Sequence, residues 1–252
     1  MGNWQLGGVQ LGLPFATSTT ITFYNATLLK KAGWDHCPDT FADVIKLAAD
    51  MKKAGLTEVC YQDVPNTPSL ANWLGQLGSY MMDNANEGSK LACIDNGALK
   101  TFLAAWKSMY DAGALVNAGA SKSDFIAGKV AVFTNSTSNI TSLNEKTGGK
   151  FELGASTFLR VNDKASYGAT LSGSCMVMFD SGDDLRKAAT WEFLKFITNA
   201  DSQAQFGAAT GYTPAHVDSA NSETYKKYLA DYPQNEVVAK QNLDESQWLL
   251  AQ

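Results

Sequence analysis

Short runs of β-branched and aromatic residues alternate along this chain with stretches of helical periodicity, and that alternation limits the possible folds more than any other feature. It is sharpest between Gly12 and Gly33. Pro14, which is unsuited to the middle of a sheet, precedes a small polar run, Ala16-Thr17-Ser18-Thr19-Thr20. Ile21 to Tyr24 reads as a strand. Asn25 ends it and can cap the turn that follows. Ala26 to Lys31 reads as a short helix, with Gly33 as a left-handed stop. A hydroxyl-rich segment is thereby held at the mouth of a buried strand, a good position from which to hydrogen-bond a small polar ligand.

The pattern repeats downstream. Thr40 with Asp43 forms a capping-box arrangement, and Phe41, Val44, Ile45 and Ala48 follow helical spacing to Lys53. Glu58 to Tyr61 is a short strand candidate, and Ser69 to Met82 reads as a helix after a Pro-rich loop. Leu91 to Ile94 is expected as a brief strand. A helix to Ala112 follows, striped by Leu99, Phe102, Leu103, Trp106, Met109 and Tyr110. Val130 to Phe133 reads as a strand that opens into a polar loop, Thr134 to Asn139. Strands are expected over Phe151 to Phe158 and, after a glycine-broken start, up to Phe179. Helices are expected from Asp183 to Thr198, Asp201 to Ala209, Ser222 to Asp231 and Asn235 to Leu243. The fold class is α/β.

The 252 residues, 45% hydrophobic and 18% charged, suffice for one large or two modest cores. A formal net charge of -5 argues against a nucleic-acid surface. No apolar run approaches the ~20 residues that span a bilayer. Met1-Gly2-Asn3-Trp4 lacks the basic and apolar start of a signal peptide. Cys37, Cys60, Cys93 and Cys175 fit no zinc spacing, and His36 and His216 are the only histidines. The first three cysteines are buried thiols or include one disulfide. No serine lies in G-x-S-x-G, and no H-E-x-x-H, P-loop or dinucleotide fingerprint occurs. A two-carboxylate glycosidase needs no local spacing, so a secreted carbohydrate-active enzyme stays open as an alternative, as does a surface protein without a small ligand.

The run Leu13-Pro14-Phe15 through Trp34, with Pro38-Asp39-Thr40-Phe41-Ala42-Asp43, resembles the extracellular solute-binding proteins of bacterial ABC importers, in particular those binding sugars and glycerol-3-phosphate. Further matching segments are Phe125-x-x-Gly128-Lys129-x-Ala131, Ala188-Ala189-x-Trp191-x-Phe193-Leu194 and Thr210-Gly211-Tyr212-Thr213-Pro214, in the family's order. The resemblance implies a periplasmic-binding-protein-like fold of type II, with two lobes and hinge crossings. It also implies a fragment that lacks the start of lobe one and a C-terminal segment. Residues 21–158 and 205–252 would form the second lobe, and residues 1–15 and 166–204 a remnant of the first. Crossings would fall near 14–20, 158–168 and 207–214. The implied partners are a sugar or glycerol-3-phosphate-like solute in an interlobe cleft and ABC permease subunits. Membrane contact would come only through the permease or a lipid anchor outside this chain. The implied location is periplasmic, or extracellular and lipid-anchored in a Gram-positive host, with no cofactor and no metal.

Eight residues are candidate ligand contacts. Trp73 either stacks on the apolar face of a solute or fills the core. Ser18 either hydrogen-bonds a solute or caps a turn. Asn135, Ser136 and Thr137 form a polar tip after a buried strand. Ser172 and Gly173 open a strand where glycine lets a ligand approach the backbone. Tyr212 either contacts ligand or packs a hinge. The family's phosphate-binding arginine lies in a segment this chain does not reach; Arg160 and Arg186 are its only arginines. Sugar and phosphate ligands are therefore not separated at this level.

Overall fold

The computed structural model describes residues 4–6, 8–83, 90–119, 122–165 and 168–243. Met1 to Asn3, Ser166 and the tail beyond Leu243, all within segments assigned above, lie outside the described residues. Among the described residues ten strands run in chain order: β1 (Gln5–Leu6), β2 (Val9–Gln10), β3 (Leu13–Ser18), β4 (Thr20–Asn25), β5 (Val59–Gln62), β6 (Leu115–Val116), β7 (Val130–Ser136), β8 (Leu153–Ser156), β9 (Ser172–Met176) and β10 (Thr213–Pro214). Between them lie α1 (Ala26–Lys31), α2 (Phe41–Lys53), α3 (Thr67–Gln76), α4 (Ala92–Asp95), α5 (Ala98–Asp111), α6 (Lys122–Ile126), α7 (Ile140–Thr147), α8 (Asp184–Thr198) and α9 (Ala200–Thr210), and after β10 come α10 (Glu223–Asp231) and α11 (Glu236–Leu243).

The chain divides into two compact units. One comprises Met1–Thr19, Thr137–Thr141 and Leu171–Pro233; the other comprises Thr20–Ser136, Ser142–Thr170 and Gln234–Gln252. This division differs from the one expected from the resemblance. Residues 205–233 group with the first unit because β10 pairs with β3 and α10 packs on α9. The chain changes unit at 19/20, 136/137, 141/142, 170/171 and 233/234.

In the second unit a five-stranded mixed sheet has the order β6-β5-β7-β4-β8. β5 runs parallel to β6 and β7, whereas β4 is antiparallel to β7 and β8. Its core is aromatic: Phe41, Trp73, Phe102, Trp106 and Phe158 pack with ring centroids 5.2–6.2 Å apart. α2 begins at the expected capping box, with the Asp43 N–H donating to Thr40 Oγ1 and the Thr40 N–H to Asp43 Oδ2. Three expectations shift here. α3 starts earlier than expected, at an Asn66–Ser69 capping box, and ends before Gly78, whose φ of 74° cannot continue a helix. Leu91 to Ile94 is not a strand: the short helix α4 occupies it, an ambiguity inherent in a four-residue apolar run. The stretch Thr134 to Ser136 is strand rather than loop, because β4 supplies partners for β7 as far as Thr20 opposite Ser136.

In the first unit an antiparallel sheet has the order β10-β3-β9, and β1 pairs with β2. Pro14 sits in the central strand, against expectation. β10 pairs only with Ala16 and Thr17, so the proline lies beside an unpaired stretch, and the register with β9 shifts between Pro14 and Ala16. Phe15 packs on Phe206 of α9 at 4.6 Å. Beside this small core, Met178, Phe179 (86% exposed), Leu185 (81%), Phe193 and Phe196 are open to solvent. Among the described residues no helix is long and apolar enough to cross a membrane.

Candidate functional site

In the first unit the structure brings four of the expected residues to one end of the three-stranded sheet. Ser18 is the Cα partner of Ser172, and Thr17 that of Gly173. Directly opposed residues project from the same face, so the Ser18 and Ser172 side chains are neighbours. Neither hydroxyl hydrogen-bonds a described residue, although Ser18 is only 7% exposed. Gly173 is required by close approach: a Cβ there would lie 2.0 Å from the Ala16 carbonyl oxygen. On the other side of β3, Thr213 pairs with Thr17, and the Thr17 hydroxyl donates to the Thr213 carbonyl at 2.8 Å. Tyr212 is the next residue outward. Its ring stacks on Phe206 at 6.0 Å, and its hydroxyl makes no hydrogen bond with a described residue.

Thr137 has a different task. It is 1% exposed; its N–H donates to the Thr19 carbonyl at 2.8 Å and its Oγ1 accepts the Thr19 N–H at 3.2 Å. The residue clasps the end of the Ser18 strand. Gly211, left-handed at φ 82°, allows Ser138 and Thr141 to pack closely against it.

In the second unit Asn135 and Ser136 end β7, opposite Ile21 and Thr20. The Asn135 side chain accepts the Ser136 N–H at 2.7 Å. Beside them is a group that the sequence did not single out. Asp63 directly follows β5, and its Oδ2 accepts the Tyr61 hydroxyl at 2.9 Å and the Thr134 hydroxyl at 2.8 Å, while its Oδ1 accepts the Val64 N–H at 2.8 Å. Tyr61 and Thr134 are themselves 2.9 Å apart. Burial pushes the Asp63 carboxyl above its ordinary range, against the three hydrogen bonds that lower it. Burial and the Asp63 charge together push the Tyr61 phenol well up. The only sequence signal was an acid placed between a strand and Val64-Pro65, which is common in ordinary loops.

Trp73, expected to wall a cleft, is buried in the aromatic core at 0% exposure. Its indole N–H donates to the Leu159 carbonyl at 3.0 Å, and its ring stacks between Phe102 and Phe158. Helical spacing carries it into the face that α3 buries, so no ligand reaches it. Of the cysteines, all four are free thiols, with Cys37, Cys60 and Cys93 buried. Burial pushes the Cys60 thiol up to about 12 and the Cys37 thiol still higher, which leaves both inert.

The bacterial extracellular solute-binding protein family matches residues 1–234, and the chain belongs to that family. The sn-glycerol-3-phosphate-binding periplasmic protein UgpB of Yersinia pestis bv. Antiqua (strain Antiqua) is 24% identical over 248 residues, which is 94% of this chain and 56% of the relative. UgpB of Escherichia coli O1:K1 / APEC is 22% identical over the same shares. The chain thus spans a little over half the length of the curated relatives it matches. Among solved structures, UgpB from Mycobacterium tuberculosis in complex with glycerophosphocholine superposes with a TM-score of 0.77 at 20% identity, covering 93% of this chain and 59% of that one. The cyclic alpha-maltosyl-1,6-maltose binding protein from Arthrobacter globiformis gives 0.76 at 18% identity, covering 96% and 62%. These likenesses establish a periplasmic-binding-protein fold.

Proposed function

We propose that this chain forms part of the substrate-binding component of an ABC importer and takes a sugar or a glycerol-3-phosphate-type solute. Family membership supports the class. The names of relatives support the solute types: sn-glycerol-3-phosphate for one, a cyclic maltosyl-maltose for another. The observation that carries the reading is the convergence of Ser18, Ser172, the Gly173 backbone and Tyr212 at one sheet end, with hydroxyls not committed to internal hydrogen bonds. Such groups can both donate and accept, as recognition of a polyol requires. In the second unit Asn135 and Ser136 are the proposed contacts. The protein works outside the cytoplasmic membrane, periplasmic or extracellular, and delivers its solute to permease subunits.

Isothermal titration calorimetry with maltose, glycerol-3-phosphate and glycerophosphocholine tests this reading, with each mixture assayed for product afterwards. Saturable binding of at least one solute without turnover is expected. Hydrolysis of the sugar, or a flat response to all three probes, counts against it.

A further inference from the structure

Asp63 holds a carboxylate in an unusual setting for a structural acid. It is 5% exposed and hydrogen-bonded only by neutral donors: Tyr61, Thr134 and the Val64 amide. No ion pair reaches it among the described residues, and no cation contributes to its environment. Its place in the fold is equally specific. β5 and β7 are parallel neighbours, with Val59 opposite Val130 and Tyr61 opposite Val132, so Asp63 and Thr134 lie level at their carboxyl ends. In α/β sheets that is where ligands bind, in the crevice outside the strand termini. Asn135 and Ser136 continue β7 at the same end.

A buried charge without an ion-pair partner costs stability that its three hydrogen bonds only partly offset, and it is poor scaffolding, since a neutral residue would avoid the desolvation penalty. It does, however, leave the carboxyl ends of β5 and β7 with a fixed negative field that water screens only weakly. We propose that Asp63 is a specificity-determining residue: its charge selects neutral polyhydroxyl solutes, of the sugar class, over phosphomonoesters at the carboxyl ends of β5 and β7. This rests on the reading of the chain as a solute-binding protein and narrows the solute. A neutral sugar feels the charge only through hydroxyl dipoles, which can orient to suit it. A phosphomonoester brings close to two negative charges at neutral pH and is repelled as a whole.

The test compares maltose and glycerol-3-phosphate by calorimetry on the 252-residue chain, on Asp63→Asn and on Thr134→Val. The Asn variant is isosteric and removes the charge; the Val variant keeps the charge and removes one donor. The unaltered protein should bind maltose more tightly than glycerol-3-phosphate. Asp63→Asn should narrow that ratio at least tenfold, since a unit charge several ångströms from a nearly doubly charged phosphate at an effective dielectric of about 20 is worth more than a factor of ten. Thr134→Val should leave the ratio unchanged while lowering the melting temperature. A preference of the unaltered protein for glycerol-3-phosphate overturns the proposal even if Asp63→Asn fails to fold, and so does a ratio that moves equally in both variants. Loss of binding to every probe by every protein overturns the solute-binding reading itself, an outcome distinct from an inverted or insensitive ratio.

Discussion

Ser18 and Ser172 are register partners across the antiparallel pair of β3 and β9, and neither side chain is hydrogen-bonded to a described residue. Ser18 is buried and Ser172 is open to solvent, so both hydroxyls remain available to a solute or to water. Ser18→Ala and Ser172→Ala are each expected to weaken solute binding by about 1 kcal/mol with little loss of stability. If one solute group bridges the two hydroxyls, the double variant will cost less than the sum. Calorimetry on the four proteins reads this directly; unchanged affinity in both single variants would remove the pair from the site.

Gly173 faces the backbone of the same strand. A Cβ would come within 2.0 Å of the Ala16 carbonyl oxygen, and no side-chain rearrangement relieves a clash with main chain. Gly173→Ala should therefore pry β9 from β3 and destabilise the first unit by about 3 kcal/mol, the upper part of the usual overpacking range. Urea unfolding monitored by circular dichroism checks it. A variant as stable as the parent would mean that the two strands separate without cost.

Trp73 yields a stability prediction where the sequence suggested a binding one. Its ring is enclosed by Phe41, Phe102, Trp106 and Phe158, and its N–H satisfies the Leu159 carbonyl. Trp73→Ala should cost about 3–5 kcal/mol from lost burial and the cavity left behind. Denaturant unfolding is the measurement. A well-folded Trp73→Ala protein with weakened solute affinity would restore the cleft reading.

What the sequence made legible follows from how local each signal is. The Thr40–Asp43 capping box and the turn at Gly33 depend on residues three or four apart, and both stand where they were expected. The strand character of Thr134 to Ser136 depends on a partner more than a hundred residues away, so composition misread it as loop. Pro14 is tolerated because β10 is only two residues long, a fact that local sequence does not carry. The pairing of Ser18 with Ser172 joins residues more than 150 positions apart, which local sequence does not carry either. Asp63 was missed because its significance lies in Tyr61 and Thr134 converging on it, and the second of these is distant in sequence.

The exposed apolar residues of the first unit predict self-association. Phe179, Leu185, Phe193 and Phe196 are all largely open to water, more than isolated surface hydrophobics would explain. Light scattering during size-exclusion chromatography should show mass rising with concentration. Replacing Phe179 and Phe196 together with serine should reduce it, because burying a phenylalanine contributes about 2 kcal/mol. A monodisperse monomer at high concentration in the parent protein would refute the expectation.

The pH dependence of stability carries the signature of Asp63. Its carboxyl lies above the ordinary value of 3.8 in the folded protein, because burial outweighs its hydrogen bonds. Between the unfolded and folded values the folded state binds the proton more tightly. The associated stability is therefore fully present below the unfolded value and is lost as pH rises through the raised folded one. Asp43, held low by Lys46 and Thr40 against a desolvation penalty, runs the other way: its contribution is present at neutral pH and is lost in acid. A single melting curve mixes these opposing trends, but the difference between the parent and Asp63→Asn isolates one group. Asparagine also weakens the bonds from Tyr61 and Thr134, which adds an offset that does not vary with pH over this window. On that offset, Asp63→Asn should gain on the parent as pH rises from the ordinary carboxyl value through the raised one of the folded protein. Denaturant unfolding at closely spaced pH values measures the difference. A difference that stays flat, or that falls with rising pH, would mean the carboxylate is not penalised by burial, and the fixed negative field assigned to it would lose its physical basis.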